Sequence, residues 1–135
     1  MSKLVIPNFT GNQLGQVTVT LTLTNLIDQV LAQRGFISPE EVRSCILDNV
    51  LVDTGATMLC LPTAIIDRLG LVQSGEVNVE TAAGMKQGRI FRAVDLCIED
   101  RRGTFDCLEL TEVPYALLGV TPMEVLGAFT RTKIC

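Results

Sequence analysis

The sequence predicts one mainly β domain, residues 1–135, with a few short helices. Three observations carry this. Residues 17–24 alternate Val and Leu with Thr, the period of a half-buried strand. Apolar runs such as 45–52 and 58–61 are strand-length and are bounded by turn residues. Where the spacing becomes helical, the stretches are brief and stop on Gly, at Gly35 and Gly70. A chain of 135 residues is long enough for one domain with a modest core.

In chain order, Leu4-Val5-Ile6 before Pro7 reads as a short edge strand, because Pro ends the pairing. Residues 17–24 form the next strand. Leu26, Ile27, Val30 and Leu31 then recur at helical spacing, with Asn25 as cap, and Ser38-Pro39-Glu40-Glu41 opens a second helical turn. Residues 45–52 are a strand, and 63–69 a short amphipathic helix with Ile65, Ile66 and Leu69 on one side. Residues 76–81 and 89–98 are strands around a small-residue tip, Thr81-Ala82-Ala83-Gly84 through Gly88. Asp100-Arg101-Arg102-Gly103 reads as a polar turn, and 105–113 as a strand. Leu117-Leu118-Gly119 then enters a helix opened by Thr121 and Pro122 and closed by Gly127. This last unit echoes the earlier one: buried strand, Gly turn, short helix ending in Leu-Gly.

Composition removes several function classes. There is no His, which excludes Ser-His and Cys-His catalysis and the commonest metal ligand. Five Cys carry no C-x-x-C spacing, so neither a metal site nor a disulfide framework is indicated, and no cofactor is called for. Cys45, Cys60, Cys97 and Cys107 fall in apolar strands and read as small core residues in a reducing cytoplasm. A net charge of −4 with scattered basic residues argues against nucleic acid as the main partner. The apolar stretches are too short to span a membrane, and no signal-peptide pattern opens the chain. A hydrophobic content of 47% fits either an apolar β core or a surface buried against a partner.

The chemistry concentrates in Val50-Leu51-Val52-Asp53-Thr54-Gly55-Ala56-Thr57-Met58-Leu59-Cys60-Leu61-Pro62. Asp-Thr-Gly is good turn chemistry, and a turn is one reading. The flanks favour another: a carboxylate between two apolar runs is costly unless hydrogen-bonded or sharing its charge. An aspartyl-phosphate nucleophile lacks its context, since no Lys directly follows Asp53 and no Gly-rich phosphate loop is present.

Leu51-Val52-Asp53-Thr54-Gly55-Ala56-Thr57 resembles the active-site loop of retropepsin-like aspartic proteases. Leu117-Leu118-Gly119 and the following helix resemble that family's second hydrophobic-hydrophobic-Gly segment, and residues 81–88 stand where the family carries its flap. The resemblance implies an acid-protease half-barrel that pairs as a two-fold homodimer. It implies an aspartic endopeptidase in which two Asp53 carboxylates share a proton and activate water on a peptide or protein substrate. Because the chain has a single Asp-Thr-Gly, the second carboxylate comes from a second copy. Thr54 then bonds across the dimer, and Gly55 keeps the loop open. Leu51, Ala56, the flap residues Thr81, Ala82, Ala83 and Gly84, and Leu118 line an apolar cleft. Ala56 offers no hydroxyl to the carboxylate, which implies activity at mildly rather than strongly acidic pH.

Against minimal members of the family, residues 25–44 read as a helical insertion, either a packing element or a specificity element. Retroviral members usually carry acidic residues after Gly-Ala and an Arg after the later Gly; Thr57-Met58 and Val120-Thr121 stand here instead. An apolar replacement of an ion pair fits both changes. A terminal strand would have to come from the short stretch 131–135. Two other readings remain: a catalytically silent dimeric binding or assembly module on the same fold, and a small β-rich adaptor in which the motif is only a turn.

Overall fold

The computed structural model describes residues 17–53, 55–81 and 84–126. The edge strand at 4–6, Thr54, Ala82, Ala83, Gly127, Cys135 and the 131–135 strand lie outside the described residues.

Strand β1 (Thr18–Asn25) pairs antiparallel with β2 (Ser44–Val52). Leu21 and Leu23 turn inward with no exposed surface, while Thr18, Thr20 and Thr22 face out, as the alternation predicts. Between them stand helix α1 (Leu26–Gln33) and a 3₁₀ turn at Pro39–Glu41. The Asn25 side chain caps α1 by accepting from the Asp28 N–H at 3.0 Å, and Gly35 follows in a left-handed conformation, φ 81°. Glu41 reaches back to accept from the Ser38 N–H at 2.8 Å.

The segment is tied to the end of the next helix. Asn25 Nδ2 donates to Leu69 O at 2.8 Å, and Asp28 accepts from Arg43 Nε at 2.8 Å and Nη2 at 3.0 Å. A Cβ at Gly70, whose φ is 66°, would stand 1.9 Å from Arg43 Nη1. Residues 25–44 therefore pack on the rim of the barrel through named polar contacts.

Beyond the Asp53 loop, β3 (Leu59–Pro62) is buried along its length, and α2 (Thr63–Leu69) buries Ile66 and Leu69. Strands β4 (Val72–Thr81) and β5 (Gly84–Ile98) make one long hairpin. Next come β6 (Arg101–Leu110), β7 (Leu117–Leu118) and α3 (Val120–Val125). The strand order is β1-β2-β7-β3-β6-β5-β4, and β5 also pairs with β1. Six strands thus close a ring within the one chain, with β4 appended to the outside of β5. Leu21, Leu23, Val50, Leu59, Leu61, Leu96, Leu118 and Met123 fill the ring, each stabilising it by about 1.5–3 kcal/mol.

The structure differs from the sequence reading at several places. The hairpin pairs all the way to Thr81↔Gly84, so residues 85–88 are strand rather than an open tip. The following turn spans Ile98 to Arg101, two residues earlier than the 100–103 reading, with Glu99 at φ 54°, and Arg101 to Gly103 begin β6. Strand β6 ends at Leu110, short of Val113. Helix α3 starts at Val120 with Gly119 as its cap, so Thr121 and Pro122 sit inside the first turn. Cys97 is half-exposed, because its strand position falls on the outer face, whereas Cys45, Cys60 and Cys107 are buried.

Candidate active site

Two parallel strands deliver the site. Strands β2 and β7 lie side by side in register, Leu51↔Leu117 and Val52↔Leu118, so both chains leave the sheet at the same end. Asp53 leaves one strand and Gly119 leaves the other. The loops are stitched together by main-chain hydrogen bonds: Asp53 N–H to Leu118 O at 3.0 Å, Val120 N–H to Ala56 O at 2.9 Å, and Thr121 N–H to Thr57 O at 3.1 Å. The two departures noted above, Thr57-Met58 and Val120-Thr121, therefore meet through backbone.

Gly119 makes this approach possible. A Cβ there would lie 2.5 Å from Met58 O and 2.8 Å from Ala56 O, closer than atoms can come. The Asp53 turn is closed on itself by Ala56 N–H to Asp53 O at 3.1 Å. Gly55 N–H donates to Asp53 Oδ1 at 2.8 Å. Among the described residues no cation pairs with this half-buried carboxylate.

A groove of about 380 Å³ opens beside the turn. Gly55, Ala56, Met58 and Cys60 form one wall, Leu108, Leu110 and Leu117 another, and residues 77–80 of β4 lie across from them. The lining is mostly apolar, with Thr57, Asn78 and Glu80 as polar members. Burial pushes the Cys60 thiol up to about 11, with the Asp53 charge adding to it, so the thiol stays protonated at ordinary pH while it is covered.

The residues singled out from sequence are distributed as follows. Ala56 and Gly55 line the groove beside Asp53. Thr81 pairs with Gly84 at the far end of the hairpin, where Gly84 has φ 109°. Leu118 is wholly buried in the core, a correction to its place on the cleft wall: strand alternation turns its neighbour Leu117 to the groove instead. Leu51 sits half-buried beside Leu117 and is not on this wall.

The sequence reading does not place Met58, Cys60, Val77, Val79, Leu108 or Leu110 on the cleft, yet all six line the groove. The alternation Val77-Val79 and Leu108-Leu110 placed them on common faces, but only the ring closure turns those faces toward Asp53. At the base of the hairpin Glu109, buried, accepts from Arg89 Nε at 2.7 Å, Arg89 Nη2 at 2.8 Å and Thr63 Oγ1 at 2.7 Å. Among the described residues no cluster of three or more His, Cys, Asp or Glu gathers as a metal would need.

A ring of strands that brings an Asp-Thr-Gly turn against a hydrophobic-hydrophobic-Gly turn beneath a long hairpin defines an acid-protease architecture. A family model described as aspartyl protease matches residues 46–127. That span is well over half of the chain, and the chain belongs to the retropepsin-like aspartyl protease family. Among solved structures, the EIAV protease complexed with the inhibitor HBY-793 is similar, with a TM-score of 0.57 and 19% identity over 90% of this chain and 97% of that one. A comparison with curated proteins gave no match.

Proposed function

We propose that the protein is an aspartic endopeptidase that works as a two-fold homodimer, with Asp53 of each copy meeting at the axis. One ionised Asp53 takes a proton from water as the water oxygen attacks the peptide carbonyl carbon. The other, protonated, donates to the carbonyl oxygen. The tetrahedral centre then collapses, the C–N bond breaks, and the departing amine takes a proton from the dyad. Gly55 keeps the loop open to substrate, and the β4–β5 hairpin serves as the flap over a bound peptide. The apolar groove suits an apolar substrate side chain. The buried thiols fit a reducing cytoplasm.

The observation that carries this reading is the Asp53 turn itself: fixed by hydrogen bonds to the Gly119 turn, unpartnered by any cation among the described residues, and opening on an apolar groove beneath a hairpin. A lone carboxylate activates water but cannot simultaneously donate a proton to the carbonyl, which is why a second copy is required.

The test is incubation of the purified chain with a mixed peptide library at mildly acidic pH, beside the Asp53→Asn variant. Cleavage by the wild type alone, with both forms dimeric, supports the proposal. A dimer that cleaves nothing in either form points instead to a silent binding module.

A further inference from the structure

The hairpin parts from the barrel at a definite place. Main-chain pairing between β5 and β6 runs only to Ile90↔Leu108. One residue further out on each side, Arg89 grips Glu109, and three residues beyond that Lys86 meets Glu112. The side chains therefore continue the register that the backbone abandons. Between the segments lies a gap of about 160 Å³, walled by Val79, Gly88, Leu108 and Leu110, with Lys86 and Glu112 also lining it. Val79, Leu108 and Leu110 also line the groove beside Asp53.

The two ion pairs differ in kind. The Glu109 side chain is 2% exposed, and its bidentate grip on Arg89 makes a fixed pivot. Lys86 and Glu112 are 48% and 70% exposed, so their attraction is open to screening by salt. We propose that Lys86 and Glu112 form a reversible latch that holds the hairpin against residues 111–113 and so positions Val79 on the groove wall, with Arg89–Glu109 as the hinge. Lys86 and Glu112 are positioning residues; they act through Val79. The Lys86 ammonium holds the Glu112 carboxyl below its usual range, which keeps the latch charged in mild acid. The link from latch to substrate rests on the protease reading; the latch itself does not.

Cys60 supplies a test independent of activity. It is 4% exposed and lies in the groove that the hairpin covers. While covered, Cys60 is protonated and unreactive; opening exposes it to water and lets it ionise, so its alkylation by iodoacetamide, followed by site-resolved mass spectrometry at fixed pH and low salt, reads hairpin opening. Glu112→Gln is expected to speed Cys60 labelling by about two- to fivefold, in line with the strength of exposed pairs, while buried Cys107 labels at an unchanged rate. The wild type at roughly 1 M salt should label like the variant. The reversed pair Lys86→Glu with Glu112→Lys should restore slow labelling. In peptide cleavage, Glu112→Gln should raise KM by a similar factor with kcat unchanged. Equal Cys60 labelling in wild type and Glu112→Gln at low salt overturns the latch. Faster labelling without cleavage by any form keeps the latch and overturns the protease reading.

Discussion

Asp53 and Glu109 are both carboxylates set into the barrel, and they are held in opposite ways. Glu109 is buried but fully answered: Arg89 grips both of its oxygens, and Thr63 donates to one of them. Asp28 and Asp95 follow the same rule, each nearly buried against the guanidinium of Arg43 or Arg102. Asp53 is half-buried with a backbone N–H from Gly55 at one oxygen and, among the described residues, no guanidinium. Among the described residues, three set-in carboxylates are neutralised by Arg and the fourth is not, a contrast that supports reading Asp53 as a working rather than a structural charge.

The sharpest way to break that comparison is Asp53→Asn. On this account the substitution lowers peptide cleavage by about 10³-fold or more, as removal of a catalytic group does, and leaves the melting temperature within a few degrees of wild type. Loss of fold instead of activity, read by circular dichroism, would put Asp53 in the structural class.

Glu109→Gln should do the reverse. Replacing a buried, bidentate carboxylate by an amide is expected to cost about 1–3 kcal/mol of stability in urea melts. The pH dependence follows in sign. Arg89 foremost holds the Glu109 carboxyl below its ordinary value, against the opposing effect of burial. A lowered folded-state value means that the stabilisation is complete above the unfolded-state value, about 4.3, and is lost as pH falls through the lower folded value. The gap between wild type and Glu109→Gln should thus be constant above about pH 5.5 and shrink below about pH 4. A gap that widens on acidification would contradict the pairing.

The smallest effect is expected from Ala56→Ser. A hydroxyl beside the Asp53 turn favours the ionised dyad, so the acidic limb of the pH–rate profile should move down by about half a unit to one unit. An unmoved limb would show that residue 56 does not reach the reacting carboxylates.

Much of the fold was legible because it is local. The Thr/Leu alternation of β1, the Asn25 cap and the Gly70 stop each depend on neighbours a few residues away, and each appears as read. The Asp-Thr-Gly turn was legible because its flanks are too apolar for ordinary punctuation. What was not legible depends on distant partners. Whether Leu117 or Leu118 faces the groove is fixed by the pairing of β7 between β2 and β3, which no local pattern reveals. The start of α3 was misplaced because Thr121-Pro122 is good helix-start chemistry, yet Gly119 must pass under Met58 and takes the cap position. The tip of the hairpin read as open because Gly88 suggests a loop; in the structure it is the strand position where Leu108 and Val79 leave no room for a Cβ.

Mixing wild-type and Asp53→Asn chains under conditions of subunit exchange, at constant total concentration, tests the shared catalytic centre directly. If each centre needs one intact Asp53 from each of two copies, activity falls as the square of the wild-type fraction, to about one quarter at an equal mixture. A linear fall, to about one half, would mean that each chain carries a complete centre of its own.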